Sequence, residues 1–489
     1  MAYALVVRAW LPPVVCDDAF ITLRTAYRAA HGGGLAFNPG QPVYVVTTPL
    51  WALLLALLQA VGLPPLVALT VLGAASEALL AAVVVELGVA WTGRAAVGLL
   101  GAVLLFANPV FVLTSHSGLE LPLDLAAIAA AFLLLARGRD RGALVVAALA
   151  VWVRVDAVAL VSVVALAVLF RRPRARLAVF LPALLVLTAY LVFGLAVYHQ
   201  VVPESVHRKL ASVAVLRPWW REGVIRIAAE FVKTAFFGRS AYWYAAPSPM
   251  PVTIPAFVAG AVVLWRTRPR GLLSAVLFTV VYVGAFVLSG ATSVENYPWY
   301  FAPPLVLVAV LAAAGGLALV DRLLARPGLR HARLLAGAPA LLWALCMSPA
   351  LARDRARLIE LWSSREGLYA AASTCLSRRL PADAVVAANE IGTIGWYARP
   401  DVSVLDLYGL ALPRADRALS RPQLIERRRP HAILMRALFA PYYPGVYDAP
   451  GYRWVLVDSL AIGARADLAD AVLPKPGEIQ AEAARVRIR

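Results

Sequence analysis

The chain alternates long apolar runs with short arginine-rich stretches. The runs lie near 66–90, 95–114, 120–136, 142–153, 156–170, 177–197, 251–265, 271–290, 301–320 and 335–349. Most approach the roughly 20 residues a helix needs to cross a hydrocarbon core of about 30 Å. With residues 1–16 read as a short, tilted first span, the pattern predicts a polytopic α-helical membrane protein with about 11 transmembrane helices. The pair 142–153 and 156–170 is short and is expected to turn around Arg154 and Asp156 within the outer half of the membrane. PLWALLLALLQAVGL (49–63) opens on proline and ends at Gly-Leu-Pro-Pro, so it reads as an interfacial helix, as does the amphipathic stretch 217–240.

Between the runs stand Arg94, RGRDR (137–141), RRPRAR (171–176), RTRPR (266–270) and DRLLARPGLRHAR (321–333). Short basic loops orient spans toward the cytoplasm. One out-and-back pair of spans separates each basic stretch from the next, so a single orientation serves residues 66–349. The segments left on the opposite face are 16–48, SHSGLE (115–120), VRVD (153–156), 198–250 and SVENYPWY (293–300), and these hold most of the rare acidic, histidine and tyrosine clusters. Glu77 and Glu86, inside the 66–90 run, fit neither face.

From residue 350 the pattern changes. DAVVAANEIGTIGWYA (383–398), VSVLDLYGL (402–410), HAILM (431–435) and RWVLVDS (453–459) are strand-like, with Gly and Pro between them. They predict a small extracytoplasmic α/β domain over 350–489, following a membrane domain over 1–349.

Composition narrows the function. The chain is 61% hydrophobic and 15% charged, a balance with which a soluble domain could not cover its surface. The net charge of +18 would suit nucleic acid, but the arginines sit in the short loops where orientation charges and contacts to anionic lipid belong. Nucleic acid is therefore not an expected partner, and membrane lipid is. Lysine is confined to Lys209, Lys233 and Lys475, a usage that fits a GC-rich bacterial genome. Cys16, Cys346 and Cys375 have no metal-ligand spacing, and the first 16 residues lack the basic start and clean apolar core of a cleavable signal.

The candidate chemistry begins at Asp17-Asp18, directly after the first span. Adjacent carboxylates at a membrane boundary are costly, because each is desolvated and the two repel. They suit either a base acting on a sugar hydroxyl or a ligand for a divalent cation, and an acidic loop end is the plain alternative. Arg154 and Asp156 would satisfy one another as an ion pair; Glu120 and Glu295 begin further spans. His116 reads as an interfacial side chain. His207-Arg208-Lys209 places positive charge on the face otherwise poor in it, which points to an anionic ligand such as a lipid phosphate.

The run DDAFITLRTAYRAAHGGGLAFNPGQPVYVVTTPLW (17–51) resembles the first extracytoplasmic loop of the GT-C superfamily of membrane glycosyltransferases. Among them it is most similar to the terminal β-(1→2)-arabinofuranosyltransferase of actinobacterial cell walls and its uncharacterised relatives. The matching positions are Asp17, Asp18, Ala19, Ile21, Arg24, Gly32, Gly34, Leu35, Phe37, Asn38, Pro39, Gly40, Thr47, Pro49, Leu50 and Trp51. SGLE (117–120), RVD (154–156), VPESVHRK (202–209), WYFAPPL (299–305) and LDLYGL (405–410) resemble later family motifs in order. Val155 stands where the family has proline, and Glu204 where it has asparagine.

The resemblance implies a polyprenyl-phosphate sugar donor, used outside the bacterial cytoplasmic membrane on a glycan acceptor, with no nucleotide-sugar pocket; a divalent cation at Asp17-Asp18 stays open as a cofactor. It implies Asp17 or Asp18 as general base. His207, Arg208, Lys209 and Arg154 would hold the departing phosphate, and Arg24, His116, Glu120, Asp156, Glu295 and Tyr300 would line the substrate site. The absence of a Rossmann fingerprint agrees with a lipid donor. Two alternatives remain: a ligase or polymerase of lipid-linked glycans, and a transporter or flippase. The latter predicts charges at mid-membrane and an internal repeat, neither of which the pattern displays.

Overall fold

A computed structural model describes residues 14–171, 177–207, 220–238, 253–289, 297–325, 355–356, 360 and 365–486. The runs 1–16 (nearly all) and 335–349 lie outside them, as do Arg208, Lys209 and Glu295. The described chain packs as two compact units: Thr70–Val192 with described parts of 209–356, and described parts of Pro12–Leu69, Phe193–Arg208 and Arg357–Arg489.

Four described helices are long and apolar enough to cross a membrane: Pro65–Thr92, Leu181–Tyr198, Leu272–Ser289 and Leu305–Arg322. A fifth crossing is available if the pair Ala95–Phe106 and Pro109–His116, bent by 67°, counts as one span. The break falls at Asn108-Pro109. Proline cannot continue the preceding helix, and the Asn108 side chain accepts from the Val110 and Phe111 N–H groups at 3.0 and 3.2 Å, capping the next one. Leu121–Ala136, Thr253–Thr267 and Pro49–Ala60 are shorter apolar helices. The expected turn between the short pair is a single 3-10 turn, Val155–Ala157, joining Asp140–Val153 to Val158–Arg171. Glu86 is matched by an ion pair to Arg137 across two helices.

Small residues set the tightest helix contact. A Cβ built on Gly260 would overlap the Leu311 carbonyl, and one on Gly315 would overlap the Ala256 carbonyl, so the two backbones touch. Backbone cannot yield as a side chain would. Gly315→Val is expected to cost at least about 1–3 kcal/mol, read as a lower unfolding midpoint of the detergent-solubilised protein; an unchanged midpoint would show that the contact can slide.

In the second unit a five-stranded sheet runs in the order β2-β1-β3-β5-β4. The strands are β1 Val385–Ala388, β2 Ser403–Asp406, β3 Ala432–Arg436, β4 Tyr452–Val457 and β5 Leu460–Arg465. β1 pairs in parallel with β2 and β3, while β5 is antiparallel to β3 and β4. The first four strands lie in the strand-like runs of the sequence. β5 follows β4 through the turn Asp458-Ser459, and its LAIGAR lacks the alternation that would have marked it. One sheet face packs Val386, Ala388 and Leu434 against the helices Gly367–Ser377 and Pro476–Arg485, and against Ile21, Phe37 and Val45 from the N-terminal segment. The other packs Ala387, Ile433 and Met435 under Leu424, Tyr443 and Val446.

Candidate active site

The Asp17-Asp18 motif opens the helix Asp17–Ala30, which is buried from Ala19 through Ala26. Two side chains bind this segment to the sheet domain. Arg24 is buried and donates to the carbonyls of Phe37 (2.9 Å), Val402 (2.7 Å) and Gly395, with its guanidinium 5.1 Å from the Phe37 ring. Its three nitrogens are thus committed to backbone. Asn38 donates to the Val404 carbonyl and accepts from the Val404 N–H, each at 2.8 Å, pairing with β2 as a strand would.

Asp17 accepts from the Gly392 N–H at 3.1 Å and the Thr393 N–H at 2.8 Å, one on each carboxylate oxygen. Position 392 must be glycine, since a Cβ there would overlap the Asp17 carbonyl. Around this contact stand carboxylates that the sequence reading did not single out. Glu366 accepts from the Thr393 hydroxyl, and Glu390 accepts from Tyr369 and pairs with Arg365, which also lies 3.5 Å from Glu366.

Burial, then Glu366 and Glu390, push the Asp17 carboxyl well above the usual carboxylate range, against the Thr393 N–H that lowers it. Burial likewise raises Glu366, which Arg365 partly offsets. For Arg365 burial works against the charge, but Glu390, Glu366 and Asp17 outweigh it and hold the guanidinium above its ordinary value. Buried carboxylates raised in this way beside a fixed cation suit proton transfer. No group of three or more His, Cys, Asp or Glu among the described residues is arranged to hold a metal ion.

A second constellation lies in the helical unit. Arg154 is buried and meets Asp156 at 2.7 and 3.1 Å, Glu120 at 3.1 Å and Asp124 at 3.6 Å, with its guanidinium 5.2 Å from the Tyr300 ring. The Tyr282 hydroxyl donates to Asp156 at 3.0 Å. Glu120 and Tyr300 therefore converge on the expected Arg154–Asp156 ion pair, and Asp124 and Tyr282 join them unpredicted. The signal for Asp124 was present, because Glu120 and Asp124 are four residues apart, where side chains share a helix face.

The remaining candidates are dispersed. His116 directs Nδ1 at the Val112 carbonyl, 2.8 Å away on its own helix. His207 is exposed, and the rest of its cationic cluster lies outside the described residues. Glu204, the departure from the resembled motif, is buried against Arg417 at 2.8 Å, and its N–H donates to the Tyr44 carbonyl. The side chain has acquired a partner from the sheet domain, which accounts for an acid at that position.

Residues 359–473, spanning the sheet, match a family described as Domain of unknown function (DUF8728). No curated protein matches the chain. Among solved structures it is similar to ArnT from Cupriavidus metallidurans bound to undecaprenyl phosphate, with a TM-score of 0.56 and 14% identity over 97% of this chain and 98% of that one. It is similar also to ArnT from the same organism in the apo state, with a TM-score of 0.54 and 15% identity over 97% and 98%. Likeness at that identity is likeness of fold. The chain has an ArnT-like fold along nearly its whole length: a multi-pass helical membrane protein with a small sheet domain toward the C-terminus.

Proposed function

We propose that this protein is a GT-C glycosyltransferase that moves a sugar from a polyprenyl phosphate to an acceptor hydroxyl on the extracytoplasmic side of the bacterial cytoplasmic membrane. The observation that carries the reading is the Asp17-Asp18 motif, built into a nest of carboxylates in a chain whose fold is that of ArnT. ArnT itself has been crystallised with undecaprenyl phosphate. Membrane residues 1–349 would form the catalytic domain and 350–489 the tail domain.

The two aspartates divide the work. Asp17 has both oxygens taken by backbone N–H groups and positions the loop. Asp18, half-buried beside it, is the general base. The acceptor O–H proton passes to Asp18 as the oxygen bonds to the anomeric carbon. The bond from that carbon to the phosphate oxygen breaks, and the polyprenyl phosphate leaves with the electron pair. His207, Arg208 and Lys209 hold the leaving phosphate. Arg154, whose donors face three carboxylates, orders Glu120 and Asp156 for the sugar instead of binding phosphate directly. Arg24 serves as an anchor. Arabinofuranose is the donor sugar the sequence resemblance favours.

The test is donor consumption. Purified protein should release polyprenyl phosphate from one member of a panel of polyprenyl-phosphate pentoses and hexoses, in the presence of cell-envelope oligosaccharides. Consumption of a nucleoside-diphosphate sugar instead, or of no lipid-linked sugar, would overturn the assignment.

A further inference from the structure

The carboxyl edge of the parallel strands carries polar groups that the proposed chemistry leaves unused. In open sheets of this kind, ligands settle outside the carboxyl ends of the strands, where successive connections depart in opposite directions. Here that place is the end of β1, since the chain runs from β1 to β2 on one side and then returns to β3 on the other. Asn389 is the first residue past β1, level with Leu407 and Met435 in the parallel register. It is 9% exposed, and its Oδ1 has no hydrogen-bond partner among the described residues. A buried amide oxygen left without a donor costs free energy unless something supplies one.

Arg421 reaches the same end of the sheet, at Leu407 just past β2. Its Nε donates to the Leu407 carbonyl at 3.1 Å and its guanidinium covers the Tyr443 ring at 4.5 Å, leaving both terminal nitrogens without a bond among the described residues. Leu407, which Arg421 holds, lies between Asp406 and Tyr408 in the chain, and Glu390 directly follows Asn389. Asp406 accepts from the N–H groups of Tyr408, Gly409 and Ala411 at 2.8, 2.9 and 2.8 Å. That clamp shapes the LDLYGL motif, and Tyr408, 39% exposed, stands on it.

We propose that Asn389, Arg421 and Tyr408 form a subsite for a neutral sugar unit of the glycan acceptor, adjoining the carboxylate site through Glu390. The chemistry selects the ligand. A sugar hydroxyl donates a hydrogen bond to the Asn389 oxygen while a neighbouring hydroxyl accepts one from Arg421, and a tyrosine ring covers a sugar face. An anion satisfies Arg421 alone and is repelled by the Asn389 oxygen, Glu390 and Asp406. The word acceptor rests on the transferase reading; the sugar subsite does not.

Saturation-transfer NMR on the detergent-solubilised full chain, with neutral arabinan, galactan and mannan oligosaccharides as probes and no donor present, tests it. At least one probe should bind. Asn389→Leu and Arg421→Met should each weaken that binding about tenfold, with unchanged unfolding midpoints. Tyr408→Ala, at an exposed position, keeps the test valid should the buried variants fail to fold, and should weaken binding severalfold. Absence of binding by every probe, equal binding by Tyr408→Ala and wild type, or displacement of the probe by an equal concentration of inorganic phosphate would overturn the inference. Variant-sensitive binding by a protein that consumes no lipid-linked sugar would support the subsite while overturning the transferase.

Discussion

Asp18→Asn is expected to lower sugar transfer by about 10²- to 10⁴-fold, the usual contribution of a positioned general base, while leaving lipid-donor binding near wild type. The asparagine keeps the size of the side chain and one acceptor oxygen, so loss of proton uptake is the principal change. The neighbouring substitution gives the contrast. Asp17 accepts two backbone N–H groups at the start of the Gly392–Tyr397 helix, and Asp17→Asn would turn an amide N–H₂ toward one of those donors. Its main effect should be on thermal stability and on the seating of the N-terminal helix. The pair is decided by measuring transfer and unfolding on both variants. Asp18→Asn with full transfer activity would remove that residue from the mechanism, and a larger transfer loss in a stably folded Asp17→Asn protein would move the base one residue back.

The candidate residues that sequence reveals are those carried by local pattern. Asp17-Asp18, SGLE and RVD stand out because acids are rare beside apolar runs, and Glu120, Arg154 and Asp156 do meet. What sequence hides is partnership across the chain. Arg24 looks like a substrate ligand in a motif-rich loop that also holds Asn38, yet both side chains bond to backbone more than 360 residues away. Glu366 precedes every strand of the tail and carries no local signal, whereas Glu390 lies just past the carboxyl end of β1, where α/β domains place chemistry. Asp124 and Tyr282 were masked by the apolar runs around them. The bend at Asn108-Pro109 was legible in the dipeptide, but a smooth hydropathy run carries over it.

The largest stability effect is expected at Arg154. The guanidinium is 6% exposed, the Glu120 and Asp124 side chains are 5% and 2% exposed, and Asp156 is 21% exposed. One cation thus compensates three carboxylates in a place where water does little to screen them. Arg154→Leu leaves that charge behind, and removing one partner of a buried ionic group costs about 3–5 kcal/mol. The variant should be recovered poorly, with a clearly lowered unfolding midpoint. Arg154→Lys should fall between, because a single ammonium keeps the charge but cannot bridge carboxylates on several sides as a planar guanidinium does. Charge removal should rescue: Arg154→Leu combined with Asp124→Asn and Asp156→Asn should regain part of the lost stability, since each added amide removes an uncompensated carboxylate. If Arg154→Leu unfolds at the wild-type midpoint, the three acids are already neutral without it. If the triple variant is less stable than the single one, the cluster is held by its hydrogen bonds and its net charge is not what Arg154 balances.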